Sequence, residues 1–378
     1  MRIMHVMQPI EAGVPVVSAG IARDQARRGH DVVIVCPPDG LAHGPVAAAL
    51  TANPSIRGVA WSAERSPGAS VPGEARRLGG IVRSERPDIV FMHSAKAGLA
   101  GRLALRGRIP TVYVPHAWSF EAVTGAMATA STAWERFAAR WTDRIVCVSS
   151  DERARGEQAG VHADMAVIDQ GVDLHRFTPG DRADARARLG LADAPTVVCV
   201  GRLCRQKGQD RLIAAWPSVL RQVPNAQLVL VGDGPDAEEL QRAAGASVHF
   251  VGATSDPRGY LAAADVVALA SRWEGGGLVV LEAMASARSV VGVEVTGLRN
   301  VLGGTGTVVT PDDTDELAAA LVARLRDPQS TDADGRSARS VAEARHGLDV
   351  SLAAWDRILQ DTAGAAESDR PESSFDRV

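Results

Sequence analysis

The chain has 378 residues against the ~150 of a typical domain, which points to two domains or one large one and excludes a small single module. With 46% hydrophobic and 23% charged residues it can bury real cores, which excludes wholesale disorder. The 45 acidic residues against 41 Lys and Arg leave a net charge of -4, so no global positive field recruits nucleic acid or an anionic bilayer.

Short Val/Ile-rich runs alternate with Ala/Arg-rich stretches of helical character, the pattern of βαβ units around a parallel sheet, so the fold class is α/β. Strands are predicted at 2–7, 31–36, 88–92, 111–115 and 144–148, with helices between them. In the helix predicted near 15–28, Pro15 suits the first turn and Gly29 supplies the stop. A second series of strands is predicted at 196–200, 227–231, 248–251, 266–269, 290–293 and 307–309. Between the series, 171–195 carries Pro179, Gly180, Gly190 and Pro195 and reads as an interdomain connection. The expected division is an N-terminal domain over 1–178, a C-terminal domain over 179–345, a helix within 346–360 that packs back on the N-domain, and a disordered tail over 361–378.

No apolar run approaches the ~18 residues of a membrane span, and the opening segment turns polar too soon for a secretory signal, so a cytoplasmic location is expected. Cys36, Cys147, Cys199 and Cys204 are widely spaced and read as free thiols. Lys96 and Lys207 are the only lysines, which makes the position of each informative.

The strongest local signal is SRWEGGGLVVLEAMA, 271–285, with Glu274 and Glu282 seven residues apart and Gly275, Gly276 and Gly277 leading into an apolar helix. Glycines leave backbone N–H groups uncovered, and a helix N-terminus favours anions, so a phosphate fits there while the carboxylates accept hydrogen bonds from sugar hydroxyls. The bland alternative is a solvated loop with a first-turn Glu. The segment GRLCRQKGQDRLI, 201–213, follows the first strand of the second series and offers Arg202 as a planar fork and Lys207 as a compact charge, a pair suited to a diphosphate. Two doubly wound domains would put such loops at a cleft where open α/β proteins bind ligands. His116, in VPHAWSF, is either a ligand-facing His or one capping a packed turn, and His5, His30 and His249 read as ordinary strand-edge or turn residues.

The Arg–Lys loop followed by the paired glutamates resembles glycosyltransferase family four, retaining nucleotide-sugar glycosyltransferases of GT-B architecture with two Rossmann-like domains facing a cleft. Segments 167–177, 230–240, 249–256, 263–271 and 306–321 extend the resemblance over roughly 1–330. The resemblance implies that Arg202 and Lys207 hold the donor diphosphate, that Glu282 binds the ribose and that Glu274 contacts the donor sugar. It further implies that Gly276, Gly277 and Leu278 offer N–H groups to phosphate and that Val251 lines the base pocket. Gly13 would approach the diphosphate from the N-domain, and His116 would lie near the anomeric carbon. Departures from the family pattern are Ala12 in the first loop, Gly276 where a Phe is common, Asp169 and Gln170 in place of Pro–Asn, and Ala287 and Ser289 in place of Gly and Pro.

The expected activity is transfer of a sugar from a nucleoside-diphosphate sugar to a hydroxyl acceptor by front-side attack with retention, in cell-envelope polysaccharide or glycolipid synthesis. No metal or other cofactor is expected. Rival readings are a small-molecule or natural-product glycosyltransferase, a nucleotide-sugar epimerase and a non-catalytic nucleotide-sugar-binding regulator. Asp332-Ala333-Asp334 imitates a metal motif but reads as solvated surface, and Gly232-Asp233-Gly234-Pro235 lacks a full dinucleotide fingerprint. In 131–144, Trp134, Phe137 and Trp141 recur at helical spacing among Arg136, Arg140 and Arg144. That pattern fits a peripheral membrane contact with a lipid-linked glycan acceptor, although burial against the N-domain sheet gives the same period and is the preferred reading.

Overall fold

The computed structural model describes residues 1–10, 13–64, 66–274 and 276–368. Ala12 and Gly275, and the expected tail beyond 368, lie outside the described residues.

The chain divides into two compact units, Met1–Asp169 together with the segment from Ser351, and Gln170–Val350. The first unit is built on β1 (Arg2–Met7), β2 (Asp31–Cys36), β3 (Ile56–Ala60), β4 (Ile89–His93), β5 (Thr111–Val114), β6 (Arg144–Cys147) and β7 (Met165–Val167). They form one sheet in the order β3-β2-β1-β4-β5-β6-β7, and every pairing is parallel. The second unit carries β8 (Thr196–Val200), β9 (Gln227–Val231), β10 (Val248–Phe250), β11 (Val266–Leu269), β12 (Ser289–Val293) and β13 (Thr307–Val309). Their order is β10-β9-β8-β11-β12-β13, again all parallel. The α/β class and the two doubly wound sheets are therefore as expected.

Parallel strands buried on both faces read as continuous apolar runs, and β1, β2, β4, β8 and β9 do so because helices cover both sides. Two strands escape the sequence reading. β3, IRGVA, is an edge strand with Arg57 and Gly58 exposed, and β7 has three residues with only Met165 buried, so neither carries a buried apolar run.

The division at Asp169/Gln170 falls earlier than 178 because 170–178 packs on the second unit. Val172 N–H donates to His346 O at 2.8 Å, Leu348 N–H donates to Val172 O at 3.0 Å, and Phe177 is buried in the second unit's core. The final helix, Leu348–Ser368, runs past the expected end at 360, so 361–368 is helical rather than disordered. From Ser351 this helix belongs to the first unit, where Leu352, Trp355, Ile358 and Leu359 are buried and Trp355 meets the Phe91 ring edge-on at 6.4 Å. Cys36, Cys147 and Cys199 are buried free thiols, and Cys204 is half-buried. No described helix is long and apolar enough to cross a membrane.

Candidate functional site

In the second unit the chain runs outward from β8 through β9 to β10, then returns to lay β11 on the other side of β8. The loops leaving the carboxyl ends of β8 and β11 thus emerge side by side at a topological switch point, where open α/β sheets bind ligands. The first loop holds Arg202 and Lys207 and the second holds Glu274. Gly208 makes the close approach possible: its φ is +66°, and a Cβ there would lie 2.0 Å from Ala270 O. The loops are then stitched together, with Gln206 Nε2 donating to Trp273 O at 3.1 Å, Arg272 N–H donating to Gln206 O at 2.7 Å, and Arg272 gripping both oxygens of Asp210 at 2.8 and 2.6 Å.

This brings together two of the predicted residues directly. Lys207 Nζ donates to Glu274 Oε1 at 2.6 Å, and the same oxygen accepts from Ser271 Oγ at 2.5 Å. Glu274 is 8% exposed. Burial alone would lower the Lys207 ammonium, yet the adjacent Glu274 carboxylate outweighs it and holds the group above its ordinary value. Lys207 is therefore charged at neutral pH. Arg202 is half-buried one residue beyond Gly201, and its carbonyl accepts from Gln209 Nε2 at 3.0 Å.

The GDGP turn supports this loop instead of binding a dinucleotide. Leu203 N–H donates to Asp233 O at 2.9 Å and Asp236 N–H donates to Leu203 O at 3.1 Å, which fixes the backbone that carries Arg202.

Gly276 and Gly277 precede the helix Leu278–Ala285, whose first turn has no side-chain cap. Val280 N–H donates to Gly277 O at 2.8 Å, and the N–H groups of Leu278 and Val279 ahead of it are left to a ligand or to water. Glu282 sits one turn in, half-buried, its carboxylate with no hydrogen bond or ion pair among the described residues; burial pushes that carboxyl up to about 7, with Arg176 opposing and Asp256 adding to the rise. Two departures from the family pattern explain each other here. A Cβ at Gly276 would fall 2.5 Å from Gln170 Nε2, so the Gln170 side chain occupies the space that a larger residue at 276 would need. Val251 is half-buried after β10 with its N–H bonded to Leu230 O at 3.1 Å.

Gly13 and His116 lie in the first unit. Gly13 opens the helix Gly13–Arg27 after β1, and His116 follows β5 with φ +54°, next to Ala117 at φ +93°. Two successive non-glycine residues at positive φ are costly and persist only where the surroundings over-determine them. Here Glu152 does so, accepting from Ala117 N–H and from Val148 N–H, both at 2.6 Å, while Trp118 is buried and donates its Nε1–H to Glu152 O at 2.7 Å. Burial raises the Glu152 carboxyl to about 7 against the pull of those two N–H groups.

His5 is corrected by the structure. It is fully buried in the middle of β1, where its ring is bonded to His93 and stacked on Phe91, and it is no strand-edge residue. His5, His93 and His116 come from the adjacent strands β1 and β4 and the loop after β5, and they form a continuous hydrogen-bonded row. Neither His93 nor Glu152 was singled out in the sequence. The available signal for His93 was a histidine in, or directly after, each of three apolar strands, in RIMHVM, IVFMH and TVYVPH. For Glu152 there was none, since a first-turn Glu on a polar helix usually serves the helix dipole.

Two other expectations hold only in part. Asp332 is at the surface as expected, its side chain 38% exposed and paired with Arg182, whereas Asp334 turns inward and accepts from Ser289 Oγ at 2.5 Å and from Gly306 N–H at 2.9 Å. Among the described residues no group of His, Cys, Asp or Glu is arranged to hold a metal ion. The aromatics of 131–144 divide: Trp134 is half-buried, its ring 5.6 Å from the guanidinium of the fully buried Arg102, and Trp141 is half-buried, while Phe137 is turned out. The helix Gly125–Ala138 buries Glu135 and Ala138, whereas Phe137 is 42% exposed, packs on Trp141 at 4.9 Å and carries the Arg140 guanidinium 3.9 Å above its ring.

The family model described as Glycosyltransferase Family 4 matches residues 12–176, and that described as Glycosyl transferases group 1 matches 194–327. A GDP-mannose-dependent monoacylated alpha-(1-6)-phosphatidylinositol monomannoside mannosyltransferase of Corynebacterium glutamicum is 32% identical over 309 residues, covering 76% of this chain and 80% of the relative. A GDP-mannose-dependent alpha-(1-6)-phosphatidylinositol monomannoside mannosyltransferase of Mycolicibacterium smegmatis is 39% identical over 216 residues, which is 52% of this chain and 56% of that protein. Among solved structures, the sucrose-phosphate synthase of Thermosynechococcus elongatus superposes with a TM-score of 0.82 at 23% identity, covering 96% of this chain and 99% of that one, a likeness of fold. On the identity and coverage of the corynebacterial relative, and on family models that match both units, the chain belongs to glycosyltransferase family 4, the group 1 glycosyltransferases.

Proposed function

We propose that this glycosyltransferase moves a hexosyl group, mannose first among candidates, from a nucleoside-diphosphate sugar to a hydroxyl of a cell-envelope glycolipid, with retention at the anomeric carbon. The observation that carries the reading is the Lys207–Glu274–Ser271 cluster set beside an uncapped helix N-terminus at the switch point of the second sheet. The donor and acceptor class follow the names of the two mannosyltransferase relatives.

In this reading the diphosphate lies against the N-terminal turn of Leu278–Ala285 and takes the Lys207 ammonium and the Arg202 fork as counter-charges. As the glycosidic bond breaks, negative charge builds on the departing phosphate. Fixed donors that are already oriented stabilise that charge without reorganising. Glu274, held by Lys207 and Ser271, accepts from the donor-sugar hydroxyls, and the unpartnered Glu282 accepts from the ribose. Gly277 and Leu278 supply backbone N–H groups, Gly276 keeps the approach open, and Val251 forms part of the base pocket. His116 faces the reacting sugar.

Arg202→Ala and Lys207→Ala are each expected to lower kcat by about 10²–10³, the usual effect of removing one preorganised donor at a developing charge. The assay is transfer from GDP-mannose and a panel of other nucleotide sugars to phosphatidylinositol mannoside, run with and without EDTA. The rate is expected to be unchanged by the chelator, since the two cations take the place of a metal. Full turnover in the double variant overturns the reading. Sugar conversion without acceptor would mark an epimerase instead, tight binding without turnover a regulator, and transfer only to small water-soluble acceptors a natural-product enzyme.

A peripheral membrane location at the inner leaflet goes with this acceptor. The exposed Phe137 and Met127, 42% and 64% exposed, lie on one helix with Arg136 and close to Arg140 and Trp141, so apolar and cationic groups are offered together. Co-flotation with vesicles rich in anionic lipid is expected for the native protein and is expected to be lost in Met127→Ser/Phe137→Ser. Flotation unaffected by that pair of changes would remove the membrane contact from the reading.

A further inference from the structure

We propose that His93, backed by His5 and Gln25, is a positioning residue that holds the His116 ring in its Nε2–H tautomer, leaving Nδ1 to accept a hydrogen bond from a substrate hydroxyl. The inference rests on the reading of His116 as a substrate-facing residue and goes beyond it by assigning where the ring proton sits and what puts it there.

The geometry is a single file of hydrogen bonds. His5 Nε2 lies 2.7 Å from Gln25 Oε1, His5 Nδ1 lies 3.0 Å from His93 Nε2, and His93 Nδ1 lies 3.3 Å from His116 Nε2. A neutral imidazole has one N–H and one lone pair, so each contact sets the next. With its amide oxygen turned to His5, Gln25 accepts, which puts the His5 proton on Nε2 and leaves Nδ1 bare; the buried Gln25 Nε2 makes no hydrogen bond among the described residues, so this orientation is the premise that the native tautomer spectrum tests. The bare Nδ1 of His5 then requires N–H on His93 Nε2, and the bare Nδ1 of His93 requires N–H on His116 Nε2. All three rings must be neutral for this to run. Burial keeps them so, holding His5 and His116 down at about 4 and His93 well below its ordinary value.

The near-coplanar, edge-to-edge arrangement of the rings removes the remaining freedom. The His5 and His93 planes are 19° apart with centroids at 5.3 Å, and the His93 and His116 planes are 27° apart at 5.6 Å. A half-turn of any ring would put a carbon where its neighbour needs a nitrogen. The backbone is held at the same place, because Glu152 accepts from Ala117 N–H and so pins the positive-φ pair from which the His116 ring projects. His5 and His93 are fully buried and touch no bulk solvent, so their chemistry reaches a substrate only through His116.

The test compares His93→Phe, His93→Gln and His116→Ala in the transfer assay and in nitrogen NMR. Phenylalanine keeps an aromatic ring in the same place and loses both hydrogen bonds. Glutamine keeps their direction, since its amide N–H donates to His5 Nδ1 while its carbonyl accepts from His116 Nε2–H. His93→Phe is expected to lose about 10- to 100-fold in kcat, the range for losing an outer partner of a reacting group, with KM nearly unchanged, and His93→Gln is expected to recover most of the loss. Long-range proton–nitrogen correlation spectra are expected to place the His116 proton on Nε2 in the native protein and to lose that single signature in His93→Phe. Should His93→Phe not fold, Gln25→Leu removes the acceptor that sets the direction and is expected to scramble the tautomer in the same way. Equal losses in the Phe and Gln variants, or a proton on Nδ1 in the native protein, overturn the inference. If His116→Ala loses turnover while His93→Phe keeps it, the inference falls alone. If His116→Ala keeps full turnover, the underlying reading of His116 falls and takes the inference with it.

Discussion

Each of the two lysines has a carboxylate partner, and the contrast between them separates structure from chemistry. Lys96 and Glu74 are 2.6 Å apart and both almost wholly buried, with Glu74 also accepting from Glu64 N–H and Ser70 Oγ, so that pair is sealed into the first unit. Lys207 and Glu274 are equally close but lie at loop ends beside an uncapped helix. Glu282 is the residue whose cost is most visible. A carboxyl raised from 4.5 to about 7 in the folded protein means that the folded state binds more protons than the unfolded chain between those values. Its contribution to stability is present below about 4.5 and is lost as pH rises through about 7. Glu282→Gln is therefore expected to flatten that part of the pH–stability profile and to raise Tm at pH 8 by roughly 2–4 °C, while donor affinity falls. An unchanged slope in thermal melts from pH 4 to 8 would contradict the burial of this group.

At the scale of elements, the site is made by loops whose shape depends on a few backbone conditions. The loop after β8 reaches the loop after β11 only because Gly208 adopts a left-handed conformation against the Ala270 carbonyl. Gly208→Ala is expected to cost about 1–3 kcal/mol through backbone strain and overpacking, and to reduce turnover further by moving Lys207 off Glu274. Denaturant unfolding and kcat together check this, and an alanine variant with native stability would show that the loops can meet another way. The same logic covers Gly276 and Gln170, which share one volume and so must change together.

At the scale of the whole chain, each unit is closed by residues distant in sequence. The first unit is completed by the helix from Ser351, which brings Trp355, 3% exposed, onto Phe91 in the middle of the first sheet. Trp355→Ala is expected to cost about 3–5 kcal/mol, the usual range for emptying a buried aromatic site. The loss should fall on one unit. Hydrogen exchange is expected to lose protection in β1 and β4 while β8 and β11 keep theirs, and equal loss in both would mean that the two units unfold as one.

The α/β class, eleven of the thirteen described strands, the loops that hold Arg202, Lys207 and Glu274 and the helix that carries Glu282 were determined by the sequence itself. They were legible because buried parallel strands are continuous apolar runs and glycines with charged residues punctuate their ends, both local properties. The edge strands β3 and β7 lack that run, and the exposed Phe137 shares its period with the half-buried Trp134 and Trp141, so each was misread for a local reason. What only the tertiary structure decided is which distant residues touch. Lys207 meets Glu274 because β8 and β11 are neighbours across the switch in strand order, 67 residues apart in the chain. His5, His93 and His116 form one row because β1, β4 and β5 lie side by side, a relation set by sheet order, which no spacing along the chain encodes.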